Sequence, residues 1–139
     1  MVCKILLSPG AKMPQRAHPA DAGMDLFAME AGTIPPCGSV SFDTGVHIGI
    51  PAGYVGLLTS KSGLMAKHGI TSRGTIDSGY VGSIKAVLFN HSHNYVQIEK
   101  GQKITQLVIL PIMTPELEEV DSLEDTERGA GGFGSSGKF

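Results

Sequence analysis

Tyr54-Val55-Gly56-Leu57-Leu58-Thr59-Ser60 is a seven-residue run of apolar and hydroxylated side chains, entered from Pro51-Ala52-Gly53 and left through Lys61-Ser62-Gly63. It is too short for an amphipathic helix and is fenced by turn formers, so it predicts a β-strand. The same unit recurs in both directions. Val2–Leu7, Asp25–Ala28, Val40–Phe42, Val46–Ile50, Ser83–Phe89, Tyr95–Glu99 and Ile104–Ile112 are short β-type runs. Pro35-Pro36-Cys37-Gly38, Asp77-Ser78-Gly79 and Lys100-Gly101 punctuate them. One segment, Ser62–Lys67, reads as a helix of one to two turns, with Ser62 placed to cap it. There is no internal repeat. The pattern predicts an all-β chain, an antiparallel sandwich or barrel.

Composition agrees with one turn-rich domain. Glycine and proline supply 27 of 139 residues, well above the average share of about 12%. Hydrophobic residues reach 41%, which provides a core and excludes wholesale disorder. A domain of this size gains from oligomerisation, because it buries a modest fraction of its surface alone. The formal net charge of −2 is unevenly spread. Seven of the 13 acidic residues lie within positions 116–127, and no basic residue interrupts them. The rest of the chain has 11 basic and 6 acidic side chains, a balance of +5. That is too weak and scattered for a nucleic-acid footprint. It suits a small anion such as a nucleotide phosphate, or simply an ordinary surface.

Cys3 and Cys37 are too few for a disulfide framework and read as free thiols in a reducing compartment. The longest apolar run, Leu107 to Met113, is broken by Pro111 and cannot span a bilayer. Ile5-Leu6-Leu7 is no signal-peptide core. The expectation is a cytoplasmic protein with no membrane partner.

Several residues could carry chemistry. Asp77 lies in Gly74-Thr75-Ile76-Asp77-Ser78-Gly79-Tyr80-Val81-Gly82, at the tip of an expected hairpin. It is either a turn-forming Asx residue or a general base held by a tight turn. Asp25 opens a strand and is equally well a structural carboxylate. Lys61-Ser62-Gly63-Leu64 brings a cation, a hydroxyl and free N–H groups together, which suits an anion. The final residues, Arg128-Gly129-Ala130-Gly131-Gly132-Phe133-Gly134-Ser135-Ser136-Gly137-Lys138-Phe139, hold five glycines and two serines. They read as a flexible tail, or as backbone that cradles a phosphate. A P-loop is rejected, because Phe139 stands where Ser or Thr would hold magnesium and no helix follows. His91-Ser92-His93 reads as a surface turn rather than a metal pair, and His68 as a contact at the helix C-terminus. His18 and His47 are uninformative.

Taken together, Ala22-Gly23-Met24-Asp25-Leu26, Lys61-Ser62-Gly63-Leu64, Gly74 to Gly82, Gly101-Gln102-Lys103-Ile104-Thr105-Gln106-Leu107 and Arg128 to Gly137 resemble the five ordered motifs of the trimeric deoxyuridine triphosphatases (dUTPases). The motifs span nearly the whole chain. The resemblance implies a jelly-roll homotrimer whose active sites are shared between subunits, and hydrolysis of dUTP to dUMP and pyrophosphate. It divides the chain into a β domain (1–115), an acidic connector (116–127) and a phosphate-binding arm (128–139).

Carried over by position, Asp77 would deprotonate the water that attacks the α-phosphorus. Lys61, Ser62, Gly63 and Gln106 would hold phosphates. Mg2+ would be chelated by the triphosphate and water, with Asp25 at most an outer-shell partner. Uracil would be read by the backbone of Thr75, Ile76 and Asp77, by Thr71, and by the returning strand near Lys85. Tyr80 would pack on the deoxyribose and exclude a 2′-hydroxyl. Phe133 would stack on the base, while Arg128, Gly134, Ser135 and Ser136 would meet the β- and γ-phosphates. Lys61 stands where the family usually has Arg, and Thr71 where some bacterial members have Asn. Thr105 replaces a common Ala. Two alternatives remain at this level. A dCTP deaminase shares the fold but needs a site Glu, and none lies between Glu30 and Glu99. The other is a non-catalytic nucleotide-sensing protein.

Overall fold

The computed structural model describes residues 1–137. Lys138 and Phe139, the end of the expected arm, lie outside the described residues. The chain forms eleven strands and one helix among those residues: β1 (Lys4–Leu7), β2 (Met24–Phe27), β3 (Gly32–Ile34), β4 (Ser39–Asp43), β5 (Val46–Gly49), β6 (Tyr54–Ser60), α1 (Ser62–His68), β7 (Ile70–Ser72), β8 (Gly74–Ile76), β9 (Lys85–Asn90), β10 (Val96–Ile98) and β11 (Lys103–Pro111). Their order within the sheets is β2-β11-β6-β8, β4-β9-β7, β1-β5 and β10-β3. Every strand pair is antiparallel. The expected all-β architecture is present.

Alternation makes the core. Along β9, Ala86, Leu88 and Asn90 are buried, while Lys85 and Phe89 face outward. One apolar cluster gathers Ile34, Phe42, Leu64, Ile70, Leu88 and Ile104 with their neighbours. A second gathers Leu26, Val46, Leu58, Ile76, Ile84 and Leu107. Strand β11 feeds both clusters, with Ile104 in one and Leu107 in the other. Truncating fully buried Leu107 to Ala would cost about 2–5 kcal/mol.

Three strands escape the sequence reading. β3, β7 and β8 have three residues each, too few to display a period. Only Arg73 separates β7 from β8, yet they serve different sheets: β7 pairs with β9, and β8 with β6. This also corrects the expected hairpin around Asp77. β9 pairs with β4 and β7, so Asp77 sits on a crossover between two sheets. The β-type residues on either side of Asp77 suggest extended chain but do not say which strands it pairs with.

The helix is displaced from expectation. Its N-cap residue is Lys61, in extended conformation with no side-chain cap bond, so Ser62 is the first helical residue and not the cap. At the other end Gly69 adopts φ 66° and donates its N–H to Leu64 and Met65 carbonyls. His68 is the last helical residue instead of capping the helix from outside, and the Lys67 cation before it complements the helix dipole. Among the described residues no helix is long and apolar enough to cross a membrane. Beyond β11 the chain to Gly137 has neither strand nor helix and is mostly exposed.

Candidate active site

The β11 ladder brings distant motifs together. Gln106 lies opposite Asp25 on β2 and opposite Thr59 on β6. Lys61 follows the end of β6, so its side chain reaches the same place. Asp25 is 4% exposed. Its Oδ1 accepts from Lys61 Nζ at 2.6 Å and from Gln106 Nε2 at 3.4 Å, and its Oδ2 accepts from Lys103 Nζ at 2.9 Å. Burial pushes the Asp25 carboxyl up, but the hydrogen bonds and charges of Lys103 and Lys61 outweigh it and hold the group below its ordinary value. A β-carbon at Gly23 would come within 2.9 Å of Gln106 Oε1, so the glycine leaves room for that side chain. The cluster carries two cations on one carboxylate, a net positive site beside the free amides of the first α1 turn.

Lys103 is absent from the sequence-derived site. Strict alternation sends residues 103 and 106 to opposite faces of a strand. A register shift between Lys103 and Thr105 reverses that parity and puts both beside Asp25. Magnesium finds no ready cage here, since both Asp25 oxygens already have ammonium partners. Among the described residues no three acidic, histidine or cysteine side chains gather around a possible ion.

The second group is the turn from Asp77 to Tyr80, closed by the Tyr80 N–H donating to the Asp77 carbonyl at 3.2 Å. Gly79 takes φ 87°, a conformation a side chain would strain. The Asp77 side chain is exposed. The Tyr80 ring is 45% exposed, and its hydroxyl donates to the Ser83 carbonyl at 3.1 Å. Before the turn, Thr75 faces outward and Ile76 inward on β8. After it, exposed Lys85 lies opposite Asp43 in the β9–β4 ladder. Thr71 is on the outward face of β7, its hydroxyl 2.7 Å from His91 Nε2. A groove beside it is lined by Ser60, Thr71, Arg73, Thr75 and Phe89. His91 and His93 sit in the turn after β9, where His93 Nδ1 is 3.7 Å from the Cys37 thiol.

The third group is the C-terminal segment. Arg128 Nε donates to the Gly131 carbonyl at 3.0 Å, and Arg128, Ser135 and Ser136 line one cleft with Thr126 and Glu127. Phe133 is fully exposed with φ 44°, and Gly134 follows with φ 98°. The structure thus joins Asp25, Lys61, Lys103 and Gln106 by direct contact. Among the described residues, no hydrogen bond or ion pair links Asp77, Tyr80 or the C-terminal segment to that cluster.

Comparison with known proteins follows this geometry. The family model described as dUTPase matches residues 10–137. The deoxyuridine 5'-triphosphate nucleotidohydrolase of Clostridium tetani is 46% identical over 136 residues, covering 96% of this chain and 94% of its own. That of Candida albicans is 44% identical over 136 residues, covering 96% and 86%. Among solved structures, the Staphylococcus bacteriophage 80alpha dUTPase with dUPNHPP superposes with a TM-score of 0.92 at 38% identity, covering 99% of each chain. A mutant dUTPase of phage phi11, described with a structural Mg(II) ion, superposes with a TM-score of 0.82 at 35% identity, covering 90% of this chain and 100% of its own.

Proposed function

This chain belongs to the dUTPase family, and from that membership we propose that it hydrolyses dUTP to dUMP and pyrophosphate, limiting uracil in DNA and supplying dUMP for thymidylate synthesis. Water attacks the α-phosphorus in line, the bond from that phosphorus to the bridging oxygen breaks, and pyrophosphate leaves with the electron pair. Asp77 takes the proton of the attacking water. Its exposed position on a closed turn supports that role, because a base must be held still yet reach solvent. Phosphoryl transfer otherwise needs positioning and charge neutralisation more than covalent chemistry.

The observation that carries this reading is the meeting of Lys61 and Gln106 on Asp25. Two side chains expected at the phosphates, from separate motifs, are fixed around one buried carboxylate. Lys61, the Ser62 hydroxyl and the Gly63 N–H bind the phosphates, with Gln106 toward the α-phosphate. Uracil meets the backbone of Thr75 to Asp77, with Thr71 and the strand at Lys85 beside it, and a narrow slot leaves no room for a thymine methyl. Tyr80 forms the wall at the sugar. Arg128, Gly134, Ser135 and Ser136 close over the β- and γ-phosphates, and Phe133 stacks on the base. The exposure of Phe133 supports a segment that gains its partners on closure.

Magnesium fits the donor set as an ion carried by the triphosphate, with Asp25 no closer than the outer shell. When bound it supplies charge neutralisation on the phosphate oxygens. We further propose a homotrimer in the cytoplasm, with the acidic connector (116–127) carrying each arm (128–139) to a neighbour's site. Exposed Leu6, Val81, Phe89 and Leu110 support an assembly that covers apolar surface. Incubation with dUTP and magnesium, with pyrophosphate and ammonia both measured, tests the activity. Pyrophosphate without ammonia is expected. Ammonia would indicate a deaminase, and neither product a nucleotide-binding protein without catalysis.

A further inference from the structure

The segment from Asp43 to His47 runs from the last residue of β4 into β5, and the proposed chemistry gives it no task. It nevertheless holds the limb that leads away from the Asp77–Tyr80 turn. Asp43 Oδ1 accepts from the Ser83 hydroxyl and from the Gly45 N–H, the latter at 2.8 Å. The Thr44 N–H and hydroxyl both donate to the Ile84 carbonyl, at 3.1 and 2.7 Å. The Ile84 N–H donates to Val46 at 2.8 Å, and His47 Nδ1 lies 2.9 Å from the Val81 carbonyl. Residues 81, 83 and 84 are therefore each tied to the same five-residue segment.

Tyr80 depends on this arrangement. Its hydroxyl donates to the carbonyl of Ser83, the residue that Asp43 grips. Its ring covers Gly82 so closely that a β-carbon there would lie 2.6 Å from Cζ. With nearly half its surface in solvent, the ring has little packing to fix it. A wall that excludes one oxygen atom discriminates only as strongly as it resists being moved. Rigidity, more than bulk, sets the selection.

We propose that Asp43 is a positioning residue for sugar selection: by holding Ser83 it fixes the Tyr80 ring against the place a ribose 2′-hydroxyl would occupy. This rests on the reading of Tyr80 as the wall at the sugar. Asp43 touches no substrate itself and works through Ser83.

The test compares kcat/KM for dUTP and UTP in the full-length wild type, Tyr80→Ala, Asp43→Ala, Asp43→Asn and Ser83→Ala. Asp43→Ala and Ser83→Ala are expected to lower the dUTP-to-UTP ratio by roughly two- to tenfold, the worth of one ordinary hydrogen bond. Asp43→Asn should retain the ratio, because both bonds end on Oδ1 and an amide oxygen supplies the same acceptor. A general loss of stability would slow both substrates and leave the ratio alone. If Asp43→Ala fails to fold, Ser83→Ala carries the test by removing one hydroxyl. An unchanged ratio in Ser83→Ala and any folded Asp43→Ala, alongside a lowered one in Tyr80→Ala, overturns the proposal. So does an Asp43→Asn protein that falls as far as Asp43→Ala, which would make charge the determinant. An unchanged ratio in Tyr80→Ala overturns the sugar-wall reading itself, and this proposal with it.

Discussion

The ammonium of Lys61 stands 2.6 Å from Oδ1 of Asp25, a carboxylate with 4% of its surface exposed. Removing Asp25 leaves the Lys61 ammonium, 21% exposed, without its partner, and breaking such a pair costs up to about 3–5 kcal/mol where the remaining charge is fully buried. Lys103, the second partner, is half exposed and recovers some hydration, so the lower end of that range applies. Asp25→Ala should therefore lose about 3 kcal/mol of unfolding free energy, read from denaturant midpoints. Its KM for dUTP should also rise, because Lys61 and Gln106 lose the group that aims them. A variant as stable as wild type would mean that the cluster is not a structural anchor.

The same carboxylate gives a pH signature. The bonds from Lys103 and Lys61 hold Asp25 below its ordinary 3.8 in the folded chain, despite burial. The unfolded state then binds the proton more tightly, so stability rises with pH through this window. The contribution of the pair is fully present above the unfolded value and disappears as pH falls through the folded one. The stability difference between wild type and Asp25→Asn should be constant from about pH 5 to 8 and shrink below about pH 4. A difference that stays level into strong acid would count against the ion pair.

Asp77→Asn should leave the turn intact, since the bond that closes it runs through the Asp77 backbone carbonyl. Loss of a general base costs about 10²- to 10⁴-fold in rate. Turnover should fall by that amount while equilibrium binding of dUTP persists, a pairing that single-turnover kinetics and titration read separately. Near-normal turnover would place the base elsewhere.

The sequence announced the strands that fall within β-type runs fenced by turn formers, from four-residue β1, β2 and β5 to β6, β9 and β11. What it could not announce was partnership. Three-residue β7 and β8 carry no period of their own, and their split between sheets depends on ladders formed with β9 and β6. Lys103 was hidden for a related reason. Alternation alone sets it on the face away from Gln106, and only the register shift in the β11–β2 ladder turns it toward Asp25. The grip of Asp43 on Ser83 spans 40 residues and leaves no local signal in either segment. Lys61 reads in the sequence as a cation suited to an anion, but the Asp25 carboxylate it pairs with lies 36 residues away and has no local signal.

The arm offers a prediction about where one site is assembled. Residues 116–127 carry seven acidic side chains and no basic one, and Arg128 to Gly137 follow with exposed Phe133 and paired Ser135 and Ser136. If the connector delivers the arm to a neighbouring subunit, two defective chains can repair one another. One carries Asp77→Asn with its arm intact, and the other lacks residues 128–139 but keeps Asp77. Each homotrimer alone lacks an essential group in every site. In trimers mixed at random from equal amounts, a complete site needs Asp77 from one chain and the arm from another. Each requirement is met half the time, so about a quarter of sites should regain activity in a closed heterologous ring. Co-expression or joint refolding provides the mixing, and mass measurement establishes the trimers. Mixed trimers as inactive as their parents would mean that base and arm act within one chain.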